Sequence, residues 1–321
     1  MSDTTSDPDV VVVRQKVHGR PASDYAAILR EVLPDHEVAL ASTPEEERDL
    51  AARADVATGI HIDEALLEVA DIDLFACVYA GTDHLPMDAL RERGVAVTNA
   101  SGVHGPNIAE YVVGAILAFT RDFRRAWRQQ ERGVWSSFHA GELHGSTATV
   151  VGLGAIGRTV VDRLDAFGVE TLGVRYTPSK GGPTDEVYGF EDLHDPLARS
   201  DAVVLACPLT EETEGLIGEE EFLTMPTEAI LVNVARGPVV DTDALVSALR
   251  WNDVGAAAVD VTDPEPLPED HPLWSFDDAL VTPHNAGETP QYYRRAAEIL
   301  ARNLRTVAET GRYEDLENQV I

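Results

Sequence analysis

Lysine is nearly missing from this chain: only Lys16 and Lys180 occur, and 56 acidic residues face 25 basic ones for a formal net charge of -31. Such a surface repels phosphate backbones and anionic headgroups, so neither nucleic acid nor membrane is an expected partner. It also repels itself, and added salt screens that repulsion. Acid enrichment with so little lysine resembles proteins that work in a salt-filled cytoplasm, so we expect loss of stability below molar salt and salt ions held at the surface. Cysteine is equally scarce. Cys77 and Cys207 each sit inside an apolar run, "LFACVYA" and "VVLACPL", which suits buried core residues in a reducing cytoplasm better than a disulfide. Long apolar runs are lacking too: stretches such as "YVVGAILAFT" fall short of the roughly 20 residues a membrane-spanning helix requires. The start "MSDTTSDPD" has neither the basic opening nor the apolar middle of a secretion signal and reads as a short disordered tail.

What is present is ample apolar content, 44% of 321 residues, enough for two domains of ordinary size. Short β-type runs alternate with helical patterns, the rhythm of a parallel α/β protein. In the first third, "DVVVV", "HEVAL", "DVATG", "LFACVYA" and "VAVTN" are expected strands, with helices around "ASDYAAILREVL", "TPEEERDLAAR", "DEALLEVA" and "MDALRERG". A helix is expected from about Asn107 to Arg132, and a second unit opens at "TATVVGLG" with strands at "ETLGVR", "DAVVLAC", "AILVNVA", "GAAAVDV" and "ALVTP". The last helical pattern, "PQYYRRAAEILARNLRTVAETG", has its own apolar stripe and is free to return to the first unit. The expected fold is two doubly wound parallel-sheet domains with a cleft between them: residues 1–100 with 290–321 as a flavodoxin-like substrate domain, and residues 101–289 as a Rossmann dinucleotide-binding domain.

Gly152, Gly154 and Gly157 stand in G-x-G-x-x-G spacing after the apolar strand "TATVV" and at the opening of a helix that stops near Gly168. The first glycine permits a tight turn, the second lets a pyrophosphate reach the backbone, and the third lets helix and strand pack closely. Helix N-terminal N–H groups then face the phosphate charge. The second strand ends in Arg175 rather than the usual acid, followed by Tyr176, Thr177, Ser179 and Lys180. A carboxylate repels a 2′-phosphate, whereas a guanidinium forks onto it. The expected cofactor is therefore NADP(H) in preference to NAD(H); the alternative is a solvated Arg175 with the adenosine held elsewhere.

Arg236, Glu265 and His284 follow three successive apolar strands, whose carboxyl ends line the ligand crevice of an open parallel sheet. Reduction of a 2-keto acid needs a cation for the carboxylate, a proton donor beside the keto oxygen, and a group that keeps the donor charged. Arg, His and Glu supply these, because a carboxylate bound to imidazole orients it and favours its charged form. The other histidines, including His18, His61, His84, His104, His139, His144, His194 and His271, show no metal-ligand spacing, and no catalytic metal is expected.

The segments "VYAGTDHL", "VVGLGAIG", "CPLTEETEGLIG", "ILVNVARGPVVD", "DVTDPEPLP" and "TPHNAG" together make the chain resemble the D-isomer-specific 2-hydroxyacid dehydrogenases, especially their glyoxylate and hydroxypyruvate reductase branch. The resemblance places the family's catalytic residues on Arg236, Glu265 and His284 and its substrate-carboxylate loop on Ala80 and Gly81. It puts Phe138 where some relatives insert an aromatic from the partner subunit, and implies a homodimer formed through residues 101–145. Cofactor contacts carried by the resemblance fall on Ala155 and Ile156, on Cys207, Pro208 and Thr213, and on Val234, Ala235 and Gly287, with Asp260 against the nicotinamide carboxamide. Two departures stand out: Cys207 where the family often has His, and Arg175 where it often has Asp.

The sequence thus points to an NADP(H)-preferring oxidoreductase of small 2-keto and 2-hydroxy acids. Two alternatives stay open: a phosphoglycerate dehydrogenase-like enzyme, disfavoured because no appended regulatory domain follows "ENQVI", and a dinucleotide-sensing, corepressor-like binding protein. A formate dehydrogenase is disfavoured because that branch has Gln where this chain has Glu265.

Overall fold

The computed structural model describes residues 7–17 and 19–321; residues 1–6 of the expected tail, and His18, lie outside the described residues. The chain divides into two compact units, Met1–Val103 with Thr289–Ile321, and His104–Glu288.

The first unit alternates β1 (Val10–Val12), α1 (Ala22–Val32), β2 (Val38–Leu40), α2 (Pro44–Ala51), β3 (Val56–Gly59), α3 (Glu64–Leu67), β4 (Leu74–Cys77), α4 (Met87–Glu92) and β5 (Ala96–Thr98). Its parallel sheet runs β2-β1-β3-β4-β5, the order of a doubly wound fold with its switch point between β1 and β3. Strands β1, β3 and β4 are buried throughout, which explains why they read as unbroken apolar runs rather than as alternations. One face is covered by α1, through Tyr25, Ala26 and Leu29, and by the chain's last helix, through Tyr293, Ala297, Leu300 and Leu304. The opposite face packs Phe75, Ile62, Leu67 and Leu90. Each fully buried aliphatic side chain of this kind stabilises by about 1.5–3 kcal/mol. Just past β4 come Ala80 and Gly81, exposed at the sheet's carboxyl edge.

The second unit begins with α5 (Gly105–Thr120) and α6 (Phe123–Glu131) and continues β6 (Thr147–Val151), α7 (Ala155–Asp165), β7 (Glu170–Val174), β8 (Glu186–Tyr188), α8 (His194–Leu197), β9 (Ala202–Leu205), α9 (Glu219–Thr224), β10 (Ile230–Asn233), α10 (Thr242–Trp251), β11 (Ala256–Val259) and β12 (Ala279–Val281). The final helix, α11 (Tyr292–Thr310), belongs to the first unit. The second sheet is parallel throughout and runs β12-β11-β10-β9-β6-β7-β8. Its order reverses between β6 and β9, so the loops after those strands frame a crevice at the carboxyl edge. On one face α5 and α7 pack Val112, Ile116, Val160 and Leu164 onto the sheet; on the other lie Phe222, Leu245 and Leu249.

Two local expectations change. The helix expected over 107–132 is broken, with Arg121 capping α5 and Asp122 in a left-handed conformation (φ 50°) before α6. Asp enters that region at low cost, and α5 has a buried apolar face whereas α6 buries no residue, so no continuous apolar stripe holds one long helix. The three-residue edge strand β8 has no apolar run to announce it. Among the described residues no helix is long and apolar enough to cross a membrane.

Candidate active site at the carboxyl edge of the second sheet

The glycine loop is built by steric necessity. Gly152 has φ 98°, and a Cβ on Gly157 would stand 1.8 Å from the Gly152 carbonyl oxygen. Only hydrogen fits there, and the close approach seats α7 against the end of β6. At Gly154, by contrast, a Cβ would have no heavy atom within 4 Å. Gly154 is the N-cap of α7 without a side-chain cap, and Ala155 and Ile156 form the first turn. Open space over uncapped N–H groups at a helix N-terminus has the shape and polarity for a pyrophosphate, so the loop fits a dinucleotide.

Beyond β7, Arg175 is half-buried, its N–H donating to Tyr188 O at 3.1 Å and its guanidinium to Gly181 O at 2.5 Å. Thr177 is half-buried, while Tyr176, Ser179 and Lys180 are exposed around it, so the loop offers cationic and hydroxyl groups to solvent. After β9, Cys207 is buried, and burial pushes its thiol up to about 11. Its backbone nitrogen lies 2.6 Å from where a Gly152 Cβ would sit, which brings the β6 and β9 loops together. Thr213 is also buried; its hydroxyl donates to Pro208 O at 2.6 Å and accepts from Thr210 N. Its polar atom shapes the loop rather than standing open to a ligand.

Arg236, Glu265 and His284 follow the adjacent strands β10, β11 and β12. Val234 and Ala235 are buried, and Asn233, 1% exposed, accepts from Ala235 N and donates to Arg236 O. That amide, which the sequence did not single out, forms the turn that delivers Arg236 to the surface. The guanidinium is exposed and donates to Ala235 O at 2.7 Å. A Cβ on Gly237 would lie 2.0 Å from Thr262 O, so the Arg236 and Glu265 loops are in backbone contact. Glu265 is oriented by Thr262, whose N–H reaches Oε1 at 3.1 Å, while Oε2 pairs with His284 Nδ1 at 3.1 Å. A carboxylate oxygen accepts, so Nδ1 carries the proton and Nε2 is left for exchange with a ligand.

His284 is itself in the left-handed region, φ 52°, a conformation worth about 1–3 kcal/mol of strain in a residue with a side chain. Its N–H donates to Asp260 O at 2.7 Å, Asn285 N to Asp260 Oδ1 at 2.8 Å, and Ala286 N to Asp260 Oδ2 at 2.9 Å. The Thr282 hydroxyl also donates to Oδ1, at 2.5 Å. Asp260, 3% exposed, is therefore tied to its own chain through both carboxylate oxygens, in addition to any carboxamide contact.

A further set was invisible to motif reading. His104, Asn107 and Tyr111 line one face of α5 and meet the 282–288 loop: His104 Nδ1 with Gly287 O at 2.8 Å, Asn107 Nδ2 with Ala286 O at 2.8 Å, and Tyr111 OH with Thr282 Oγ1 at 2.9 Å. Three- and seven-residue spacing puts them on a single face, but their partners are 171 to 183 positions away. Phe138 is half-buried beneath the Arg125 guanidinium at 4.9 Å, within its own chain; the aromatic that stands free in this segment is Trp135, fully exposed. Ala80 and Gly81 belong to the first unit and Phe138 to the second.

Residues 113–286 match the family described as D-isomer specific 2-hydroxyacid dehydrogenase, NAD binding domain. The chain is 40% identical over 253 residues to a glyoxylate reductase of Thermofilum pendens, covering 76% of this chain and 74% of that protein. It is 33% identical over 305 residues to a D-3-phosphoglycerate dehydrogenase of Methanocaldococcus jannaschii, covering 93% of this chain but 58% of the relative. Among solved structures, a D-isomer specific 2-hydroxyacid dehydrogenase of Xanthobacter autotrophicus Py2 in complex with NADPH and MES superposes with a TM-score of 0.73 at 29% identity, over 98% of both chains. The glycine loop, the strand-end polar residues and these likenesses agree: the chain belongs to the D-isomer specific 2-hydroxyacid dehydrogenase family and is an NAD(P)-dependent oxidoreductase.

Proposed function

We propose that the protein reduces small 2-keto acids to D-2-hydroxy acids with NADP(H) in preference to NAD(H), and that His284 is its acid and base. The observation that carries this reading is the His284–Glu265 pair at 3.1 Å, on strand ends next to the one that bears Arg236. A nicotinamide cofactor, when bound, would supply the hydride that the keto carbon accepts. Arg236 holds the substrate carboxylate by a charge-assisted fork. Nε2 of His284 gives its proton to the keto oxygen and recovers it in the reverse direction, while Glu265 stabilises the charged ring. For the cofactor, the Gly152–Gly157 loop takes the pyrophosphate, and Arg175 with Lys180 takes the 2′-phosphate.

A homodimer through residues 101–145 is part of this proposal. Phe123, Trp127, Val134 and Trp135 are exposed apolar groups on α6 and the segment after it, and Arg121, Arg124, Arg125, Arg128 and Arg132 gather there in a chain of net charge -31. Exposed aromatic groups beside arginines in so acidic a chain suit an interface between two copies, because this patch carries less of the like charge that keeps the rest of the two surfaces apart. We also propose a cytoplasmic protein adapted to high salt: its melting temperature should fall as KCl is lowered from molar concentration, and an unchanged value would remove this reading.

The test is oxidation of NADPH and, separately, NADH by pyruvate, glyoxylate, hydroxypyruvate and longer 2-keto acids in molar KCl, followed by absorbance. Higher catalytic efficiency with NADPH is expected. Preference for NADH would overturn the role given to Arg175, and cofactor binding without turnover would favour a dinucleotide-sensing protein.

A further inference from the structure

We infer that Asp260 is the positioning residue for His284: by taking the N–H groups of residues 284, 285 and 286 on one side chain and its own carbonyl, it fixes the left-handed turn from which the imidazole reaches Glu265. The inference rests on the reading of His284 as the proton donor. The His284 N–H goes to the Asp260 backbone carbonyl, and the next two N–H groups, turned to one side, form a concave anion site. Here the anion is internal: Ala286 N reaches Oδ2, and Asn285 N and the Thr282 hydroxyl reach Oδ1.

A carboxylate suits this place because both of its oxygens only accept. Asparagine would turn an NH2 donor toward either Ala286 N or the Asn285 and Thr282 pair, so the near-isosteric exchange sets donor against donor in either orientation. The arrangement reaches further. Thr282 spends its single hydroxyl proton on Asp260, so Tyr111 OH must be the donor to Thr282 Oγ1. Burial pushes the Tyr111 phenol up to about 12, with the Thr282 hydrogen bond pulling the other way, so it remains a protonated donor at neutral pH. The chain Tyr111, Thr282, Asp260 thus connects the buried face of α5 to the His284 turn, and neither Tyr111 nor Thr282 needs to touch cofactor to affect catalysis.

The test compares Asp260→Asn, Thr282→Val and Tyr111→Phe in the full-length protein. It uses three readouts: kcat at saturating NADPH and keto acid, the NADPH dissociation constant by fluorescence titration, and amide hydrogen exchange. Displacement of a catalytic group by about 1 Å costs on the order of 10²-fold in rate, and a loss of that size is expected for Asp260→Asn, with progressively smaller losses for Thr282→Val and Tyr111→Phe. The NADPH dissociation constant should stay within a few-fold of wild type, and exchange should quicken at residues 284–286 while α11 is unaffected. A raised dissociation constant with full kcat at saturation, or full kcat in Thr282→Val, would overturn the inference and leave Asp260 as a cofactor contact alone. If Asp260→Asn fails to fold, the two milder variants decide by the same criteria. If the wild-type protein reduces no keto acid, the proposed function fails separately, and unchanged exchange at 284–286 in Asp260→Asn would still refute the positioning role.

Discussion

The loops after β10, β11 and β12 and the loop after β7 stand on the same edge of one sheet, yet they are built in different ways. Around His284 the backbone is clamped: Asp260 collects three consecutive N–H groups, Thr262 holds Glu265, and α5 grips the 286–288 carbonyls through His104 and Asn107. Around Arg175 there are fewer ties, and Tyr176 is 74% exposed with Ser179 and Lys180 beside it. The difference matches what the proposed function asks of each region. Proton transfer depends on hydrogen-bond distance and fails over a misplacement of about 1 Å. Discrimination for or against a phosphate acts through charge, which falls off slowly with distance, so exposed side chains suffice and can be exchanged without disturbing the chemistry.

The strongest way to break that contrast is at the clamped end. His284→Ala should lower kcat/KM for a 2-keto acid by about 10²- to 10⁴-fold, with an unchanged circular dichroism spectrum, and Glu265→Gln should lose less because the hydrogen-bond partner is kept while its charge is removed. Turnover near wild type in His284→Ala would place the proton donor elsewhere. At the exposed end, Arg175→Ala should shift the NADPH-to-NADH efficiency ratio toward NADH by about 10- to 100-fold, the equivalent of one charged hydrogen bond of roughly 1.5–3 kcal/mol. The kcat with NADH should move much less; an equal collapse with both cofactors would show that Arg175 shapes the site rather than reads the phosphate.

The smallest effect lies between the two regions, on the β9 loop. Burial raises the Cys207 and Cys77 thiols to about 11, so both remain protonated below that value and become thiolates only as pH rises through it. At about pH 8 roughly one part in 10³ is thiolate, and the native protein should react with a thiol reagent far more slowly than the unfolded chain. Rapid native labelling at Cys207 would show that the β9 loop opens readily, with Cys77 at the end of β4 in the first unit as the internal control.

Much of this was legible because it is local. A G-x-G-x-x-G between strand and helix needs only neighbouring residues, and the unbroken apolar strands announced a parallel sheet covered on both faces. Arg236, Glu265 and His284 were found by the same rule: each stands shortly after an apolar run. The break at Asp122 was not visible, because helix-compatible residues continue on both sides of it and only the loss of a buried face ends α5. Strand β8 escaped for a related reason: "EVY" is too short and too exposed to carry a pattern. Within its own chain the Phe138 ring meets the Arg125 guanidinium across the end of α6, a contact no local period encodes.

The sequence by itself determined the parallel α/β architecture, the glycine cradle and the identity of the three strand-end polar residues, since each is a matter of local period or of residue type at short spacing. Only the tertiary structure decided what Asp260 does and why His284 holds its turn. The donors that satisfy Asp260 come from residues 22 to 26 positions later, and the α5 face that steadies them lies more than 170 positions away from its partners. Hydrogen bonds across such separations exist only once the sheet has brought β11, β12 and α5 side by side.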